Sequence, residues 1–178
     1  MNAIARDLDN HPTVARAGGI AYERDTLLAG DPRFTTHSVI HRFTRGFLFG
    51  RPGLDKDTRG EVDNAQVNRL SQYLLALGEQ MPWFQSKETN RDEYLARSSV
   101  VLSALSVVGH DLFASGLDVG QIALRIIRLG RMDWRKTNLG WVGILGSEKD
   151  GKVQPASSRP AIDGLIRHLR KELGLVPQ

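Results

Sequence analysis

The sequence predicts a mainly α-helical fold, a single multi-helix domain of about six or seven helices with one small β-hairpin near the C-terminus. Apolar residues recur at three- and four-residue spacing over several long stretches, which is the periodicity of a helix with one buried face. Asp150-Gly151 stands between two short apolar segments, which is typical of a hairpin turn. We assign residues 1–178 to this domain, with 1–34 as a candidate for a loosely packed lead-in segment.

Composition limits the class of protein. With 178 residues, of which 40% are hydrophobic and 25% charged, the chain can bury the core of one domain. It has no cysteine, which excludes disulfides and thiolate chemistry and fits a cytoplasmic location. No apolar run approaches the roughly 20 residues that span a bilayer, and the acidic N-terminal segment predicts no signal peptide. The net charge of +4 favours an anionic partner without identifying it.

Three helices are expected to build the core, at 35–49, 63–77 and 95–113. Each carries an apolar stripe at helical spacing, and the third is the most apolar. Capping residues precede two of them, namely Thr35 or Thr36 and the Asp63/Gln66 pair. The pattern of apolar, charged, proline and glycine residues also predicts a short helix at 3–8, an extended piece at 20–23 and a charged, mobile loop at 50–62.

Two more helices are expected in the C-terminal half. Asp118 can cap a helix whose periodic pattern breaks at Gly130. The last helix has Pro160 in its first turn and is stopped by Gly174. We expect both helices to pack across the core and to present a basic surface.

The stretch from Gln121 to Trp141 concentrates positive charge. Arg125, Arg128 and Arg131 recur every three residues, and the turn sequence DWRKTN follows. Five basic residues and one acid give this stretch a balance of five minus one, or +4, equal to that of the whole chain. The pattern predicts contact with an acidic partner, although charge alone is more often the mark of a solvated face.

Other polar patterns favour structural roles. His37 and His41 stand four residues apart, but the intervening glutamate of the zinc-protease pattern is missing and no third ligand is evident, so we expect no metal site. Small polar residues on the third core helix could form a polar contact row, but close helix packing is favoured; they are Ser99, Ser103 and Ser106, with His110.

No catalytic constellation stands out, so we lean towards a non-enzymatic protein without a cofactor. The sequence has no evident carboxylate pair, phosphate-binding loop or nucleophile beside a base. The one candidate is Asp133 near Arg135 and His168, where the simpler interpretation is that Asp133 caps or salt-bridges its turn.

Several segments resemble the C-terminal part of DNA sulfur modification proteins of the DndB type, within the wider group of DGQHR-domain proteins. These are RSSVVLSALSVVGHDLF from Arg97, MDWRKTN, the Trp141-Val142-Gly143 run, the glycine-containing hairpin and the closing LRKELGL. PRFTTHSVIHRFTRGFLFG is similar to the segment that follows the DGQHR domain in that family. The closest matches are Asp133, Trp134, Asn138, Trp141 and Gly143.

The Asp-Gly-Gln-His-Arg motif itself is absent from this sequence. Chemistry attributed to that domain therefore cannot be carried over, and the chain looks like the helical C-terminal part alone, whether as a fragment, a split gene product or a stand-alone relative. The resemblance implies a regulatory or accessory role in a bacterial DNA phosphorothioation or defence locus, with DNA as the ligand.

Two hypotheses follow for the function. The first is a DNA-binding module that neutralises phosphates with the basic helices and the Trp-containing turn. The residues assigned to DNA contact are Arg125, Arg128, Arg131, Trp134, Arg135, Lys136, Asn138, Arg167, Arg170 and Lys171. The second is a docking module for other proteins of the locus, in which Trp134, Trp141 and Arg131 would be the anchors.

Overall fold

The computed structural model describes residues 7–23, 25–27, 31–51, 63–81, 84 and 93–175. Helices dominate this part of the chain, which confirms the predicted mainly α fold. The six α-helices described are α1 Pro12–Arg16, α2 His37–Phe49, α3 Asn64–Gln80, α4 Ser99–Ala114, α5 Val119–Arg131 and α6 Arg159–Leu173. The strands are β1 Ile20–Ala21, β2 Thr35–Thr36, β3 Gly146–Lys149 and β4 Lys152–Pro155, and two short 3-10 turns occupy Leu8–Asn10 and Leu139–Trp141.

Strands β1 and β2 form a short parallel pair that precedes α2. The extended piece expected near Ile20 is therefore confirmed. The predicted start of the first core helix at Thr35 was two residues early, because Thr35 and Thr36 pair with β1. The helix begins at His37, and the Thr36 side chain accepts a hydrogen bond from the Val39 amide as its N-cap.

Helices α2 and α4 pack closely through small residues at the centre of the fold. A side chain at Gly46 would place its Cβ 2.0 Å from the Ser106 hydroxyl oxygen, so only glycine allows this approach. The Ser106 hydroxyl donates to the Ser103 carbonyl at 2.7 Å inside the same helix. This arrangement confirms the close-packing role for Ser106.

Helix α3 runs past its expected end at residue 77, and helix α5 runs past Gly130, where its pattern breaks. Helix α3 continues through Gly78 to Gln80, and α5 continues through Gly130 to Arg131. A Cβ atom at Gly130 would lie 2.0 Å from the Gln80 carbonyl oxygen, so Gly130 permits the two helix ends to cross. Both predicted N-caps are confirmed, each as a reciprocal capping box: Asp63 with Gln66, and Asp118 with Gln121.

The third core helix was predicted to begin at Leu95 but begins at Ser99. The residues before it make a tertiary connection instead. The Leu95 amide donates to the Trp134 carbonyl at 2.8 Å, and the Lys136 amide donates to the Glu93 carbonyl at 2.7 Å. These two hydrogen bonds therefore attach the turn that follows α5 to the segment that precedes α4.

The C-terminal hairpin and helix follow the prediction. Strands β3 and β4 are antiparallel, and Asp150 and Gly151 between them both have positive φ angles, 53° and 72°. That backbone conformation is the two-residue turn that Asp-Gly favours. In α6, Ser158 is the N-cap, Pro160 lies in the first turn, and Gly174 ends the helix in the left-handed conformation.

One hydrophobic cluster includes buried side chains from Leu8 to Leu173. The described residues before α2 take part in it, since Val14, Ala17 and Phe34 are fully buried. The predicted helix at 3–8 and the predicted mobile loop at 50–62 lie mostly outside the described residues. Within the described ranges, no helix is long and apolar enough to cross a membrane.

Candidate nucleic-acid interface

Two stacked tryptophans form the inside of the turn after α5. The rings of Trp134 and Trp141 are nearly parallel, with centroids 4.9 Å apart, and only 1% and 3% of their surfaces are exposed. The Trp134 indole donates to the Leu129 carbonyl at 2.8 Å, and the Trp141 indole donates to the Asp133 carbonyl at 2.7 Å. Their burial leaves them almost no surface for a ligand, so their role in this structure is to position the turn.

Asp133 and Arg135 form a two-point ion pair on the outside of the same turn. The Arg135 Nε and Nη2 atoms lie 2.8 and 2.7 Å from the two Asp133 oxygens. The hydrogen bond from Arg135 lowers the pKa of the Asp133 carboxyl, and the carboxylate in turn raises the pKa of Arg135. Asp133 therefore stays ionised and salt-bridges the turn, as the simpler interpretation had it.

Asn138 holds the turn together with both ends of its amide. Its oxygen accepts from the Gly140 amide at 3.1 Å, and its nitrogen donates to the Asp133 carbonyl at 2.9 Å. The Lys136 carbonyl accepts from the Val153 amide at 2.7 Å, which joins the turn to β4. The tryptophans and Asn138 therefore stabilise the conformation of the turn.

Arg125 and Arg128 reach across from α5 to the C-terminal end of α6. Nη1 of Arg125 donates to the carbonyls of Leu173 and Gly174 at 2.8 and 2.9 Å. Nη1 of Arg128 donates to the Glu172 carbonyl at 3.0 Å. The last carbonyls of a helix lack partners within the helix and carry partial negative charge, so two cations stabilise this end.

These contacts bring the basic stripe of α5 to the last turn of α6, where Arg170 and Lys171 lie. We call the combined region the α5–α6 basic surface; it comprises Arg125, Arg128, Arg131, Arg167, Arg170 and Lys171. Arg170 pairs with Asp111 at 2.8 Å. Arg131, Arg167 and Lys171 are exposed. No hydrogen bond or ion pair engages those three side chains within the described part of the chain.

Sequence reasoning did not include two other arginines, Arg51 and Arg159, that line a depression together with Arg167 and Arg170. Arg159 could have been found, because it stands 8 residues before Arg167, close to two helical turns. Arg51 follows α2, and the packing of both α2 and α6 on α4 brings it to this place.

The histidines do not form a metal centre with the groups described. The rings of His37 and His41 lie 6.2 Å apart between centroids. Burial lowers the pKa of His41, and the nearby Arg45 and His37 lower it further. Among the residues that the structure describes, no group of three or more histidine, aspartate and glutamate side chains could hold a metal ion.

Comparison with protein families matches residues 2–176, nearly the whole chain, to proteins associated with DNA sulfur modification. The chain belongs to this family, which is DndB. The match extends well before the segment from Arg97 that carries the clearest resemblance. Searches of curated proteins and of solved structures found no match.

Proposed function

We propose that this protein is a non-enzymatic DNA-binding module with an accessory or regulatory role in a bacterial DNA sulfur modification (phosphorothioation) or related defence system. The α5–α6 basic surface is the observation that carries the proposal. Arg125 and Arg128 join two basic stripes, from helices distant in sequence, into one region of positive charge. Membership of a family associated with DNA sulfur modification supports DNA as the polyanion.

The interface acts by neutralising backbone phosphates. Each contact releases condensed counterions from DNA, so affinity falls with salt and depends little on sequence. Arg131, Arg167 and Lys171 are the strongest candidates for direct contact, because they are exposed and no described group competes for them. Trp134, Asn138 and the Asp133–Arg135 pair fix the turn that carries Lys136 after the end of α5.

The test is a titration of duplex DNA at several salt concentrations with the wild type and an Arg131→Gln/Arg167→Gln/Lys171→Gln variant. Each lost phosphate contact lowers the slope of log affinity against log salt by about 0.9, so we expect a decrease of about 2.7 for the three. The variant avoids Arg125 and Arg128, because their bonds to α6 would confound binding with folding.

The matched control removes the same charge elsewhere, with Arg16→Gln/Arg69→Gln/Lys149→Gln. These side chains are exposed and lie outside α5 and α6. We expect the control to retain most of the wild-type salt dependence. Equal losses in both variants would show that only net charge matters, and an absence of wild-type binding at low salt would refute the proposal.

The alternative, a docking module for another protein of the modification system, is favoured by one observation. Leu139 and Val142 flank the buried Trp141 and are 50% and 41% exposed. Exposed apolar side chains beside a rigid turn are suited to a protein interface. If the wild type fails to bind DNA, co-purification with proteins of the locus should be lost in a Leu139→Gln/Val142→Gln variant.

A further inference from the structure

We propose that the depression between the end of α2 and the outer side of α6 holds a DNA backbone phosphate, so that the DNA crosses α6 and reaches Arg51. This inference rests on the proposed function and adds a second DNA-contacting region to the interface. The depression has a volume of about 630 Å³. Its charged lining consists of Arg51, Arg159, Arg167, Arg170 and Asp163.

The backbone of two elements places these side chains together. Arg159, Arg167 and Arg170 belong to α6, whose Ile166 forms the floor with Val107 of α4. Gly50 ends α2 with a φ of 66°, and a Cβ atom there would lie 2.6 Å from Cδ2 of His110. Only glycine allows that turn against His110, and the turn sets Arg51 at the rim.

Two of the arginines are held by carboxylates through their Nε atoms. Arg170 Nε lies 2.8 Å from an Asp111 oxygen, and Arg159 Nε lies 3.0 Å from each Asp163 oxygen. Four arginines and these two carboxylates leave a local balance of four minus two, or +2. The Nη atoms of Arg170 have no hydrogen-bond partner among the described residues. With its Nε atom held by Asp111, the Arg170 guanidinium presents its fork to an oxyanion, and phosphate accepts such a fork.

An extended polyanion fits the depression better than a small anion. Arg167 and Arg170 line the depression and also belong to the α5–α6 basic surface, so the two positive regions share these residues of α6. A helix with its side chains is about 10 Å wide. Duplex DNA carries one charge per about 1.7 Å of its axis, so one duplex offers several phosphates over that width. The footprint of the DNA therefore runs from the end of α5, over α6, to the end of α2.

The experiment measures duplex binding of an Arg51→Gln/Arg159→Gln variant at several salt concentrations, on two DNA sequences. We expect the salt slope to fall by about 1.8, with the same weakening on both sequences, because two phosphate contacts are lost. An Arg16→Gln/Arg69→Gln variant removes the same charge elsewhere and should keep the wild-type slope. Arg51→Glu, which leaves the α6 ion pairs intact, should weaken binding on its own. Circular dichroism verifies that each variant is folded.

The outcomes separate this inference from the proposed function. If the Arg51 variants bind like the control while Arg131→Gln/Arg167→Gln/Lys171→Gln weakens binding, the depression is not part of the interface and the DNA-binding proposal stands. If the wild type does not bind DNA, both fall.

Discussion

The hydrogen bonds that His11 makes in the fold require its side chain to be in one protonation state. Its Nδ1 atom accepts from the Thr13 amide at 3.3 Å and caps α1, while Nε2 lies 3.1 Å from both the Ser71 carbonyl and hydroxyl oxygens. A nitrogen that accepts carries no proton, so this network requires the neutral ring with its proton on Nε2. Burial lowers the pKa of His11, and the hydrogen bond to the Ser71 carbonyl opposes that shift.

We therefore predict that acid weakens the fold through His11. The unfolded chain protonates its histidine near the ordinary value of 6.5, whereas the folded chain resists protonation to a lower pH. The stabilisation is thus complete above about pH 6.5 and is lost as pH falls towards the lower folded pKa. Loss of the cap corresponds to about 1 kcal/mol.

Urea unfolding at pH 7 and pH 5 tests this for the wild type and for His11→Asn, which can still cap α1 but does not titrate. The free energy of unfolding should decrease less with acid in the variant. An identical decrease in both proteins would assign the acid sensitivity to other groups, of which His41 is one, since its pKa is also lowered.

At the scale of elements, the C-terminal end of α6 is stabilised from outside the helix. Gly174 ends the helix, and the guanidinium groups of Arg125 and Arg128 donate hydrogen bonds to the carbonyls at this end. The two arginines therefore have a structural function that does not depend on any ligand. Arginine spacing on α5 predicted a basic stripe, but it could not separate Arg125 and Arg128, which bond to the end of α6, from Arg131, which has no hydrogen bond or ion pair with the described residues.

We predict that Arg125→Ala/Arg128→Ala destabilises the protein by about 1–3 kcal/mol, because hydrogen bonds and favourable interactions with the helix dipole are lost. Chemical denaturation measures the change in the free energy of unfolding. Arg131→Gln, an exposed change on the same helix, should stay within about 0.5 kcal/mol of the wild type. A similar small effect in the double variant would mean that water replaces the two arginines at this end.

At the scale of the whole molecule, we propose that residues 1–178 fold as one domain. Contacts between α2 and α4 and between α3 and α5 connect the N-terminal and C-terminal halves of the described chain. The hydrophobic cluster formed by the described residues has members from both halves. Because these described elements share one core, unfolding of one half exposes apolar surface of the other half.

The expected result is one cooperative unfolding transition, seen at the same denaturant concentration by far-ultraviolet circular dichroism and by tryptophan fluorescence. In a Trp83→Phe background, fluorescence reports only Trp134 and Trp141, whereas circular dichroism reports all helices. Separate midpoints for the two signals would show that the chain contains two units that unfold separately, which would contradict the prediction.

Sequence patterns by themselves determined the type and order of most elements and the family. Helical periodicity, capping pairs such as Asp63 with Gln66, and the Asp150-Gly151 turn act over a few residues, so they can be recognised without the fold. The helical spacing of Arg125, Arg128 and Arg131 and the position of Arg167 on the last helix could be recognised in the sequence for the same reason. The resemblance to DndB proteins could be recognised in the same way.

The tertiary structure decided what those residues contact. Pairing with β1 moved the start of α2, and the bond from Leu95 to Trp134 moved the start of α4, because these partners are distant in sequence. Burial of Trp134 and the meeting of α5 with the end of α6 depend on how helices pack, which local spacing does not encode. Arg51 joins α6 for the same reason: contacts between distant segments follow from minimising exposed apolar surface over the whole chain.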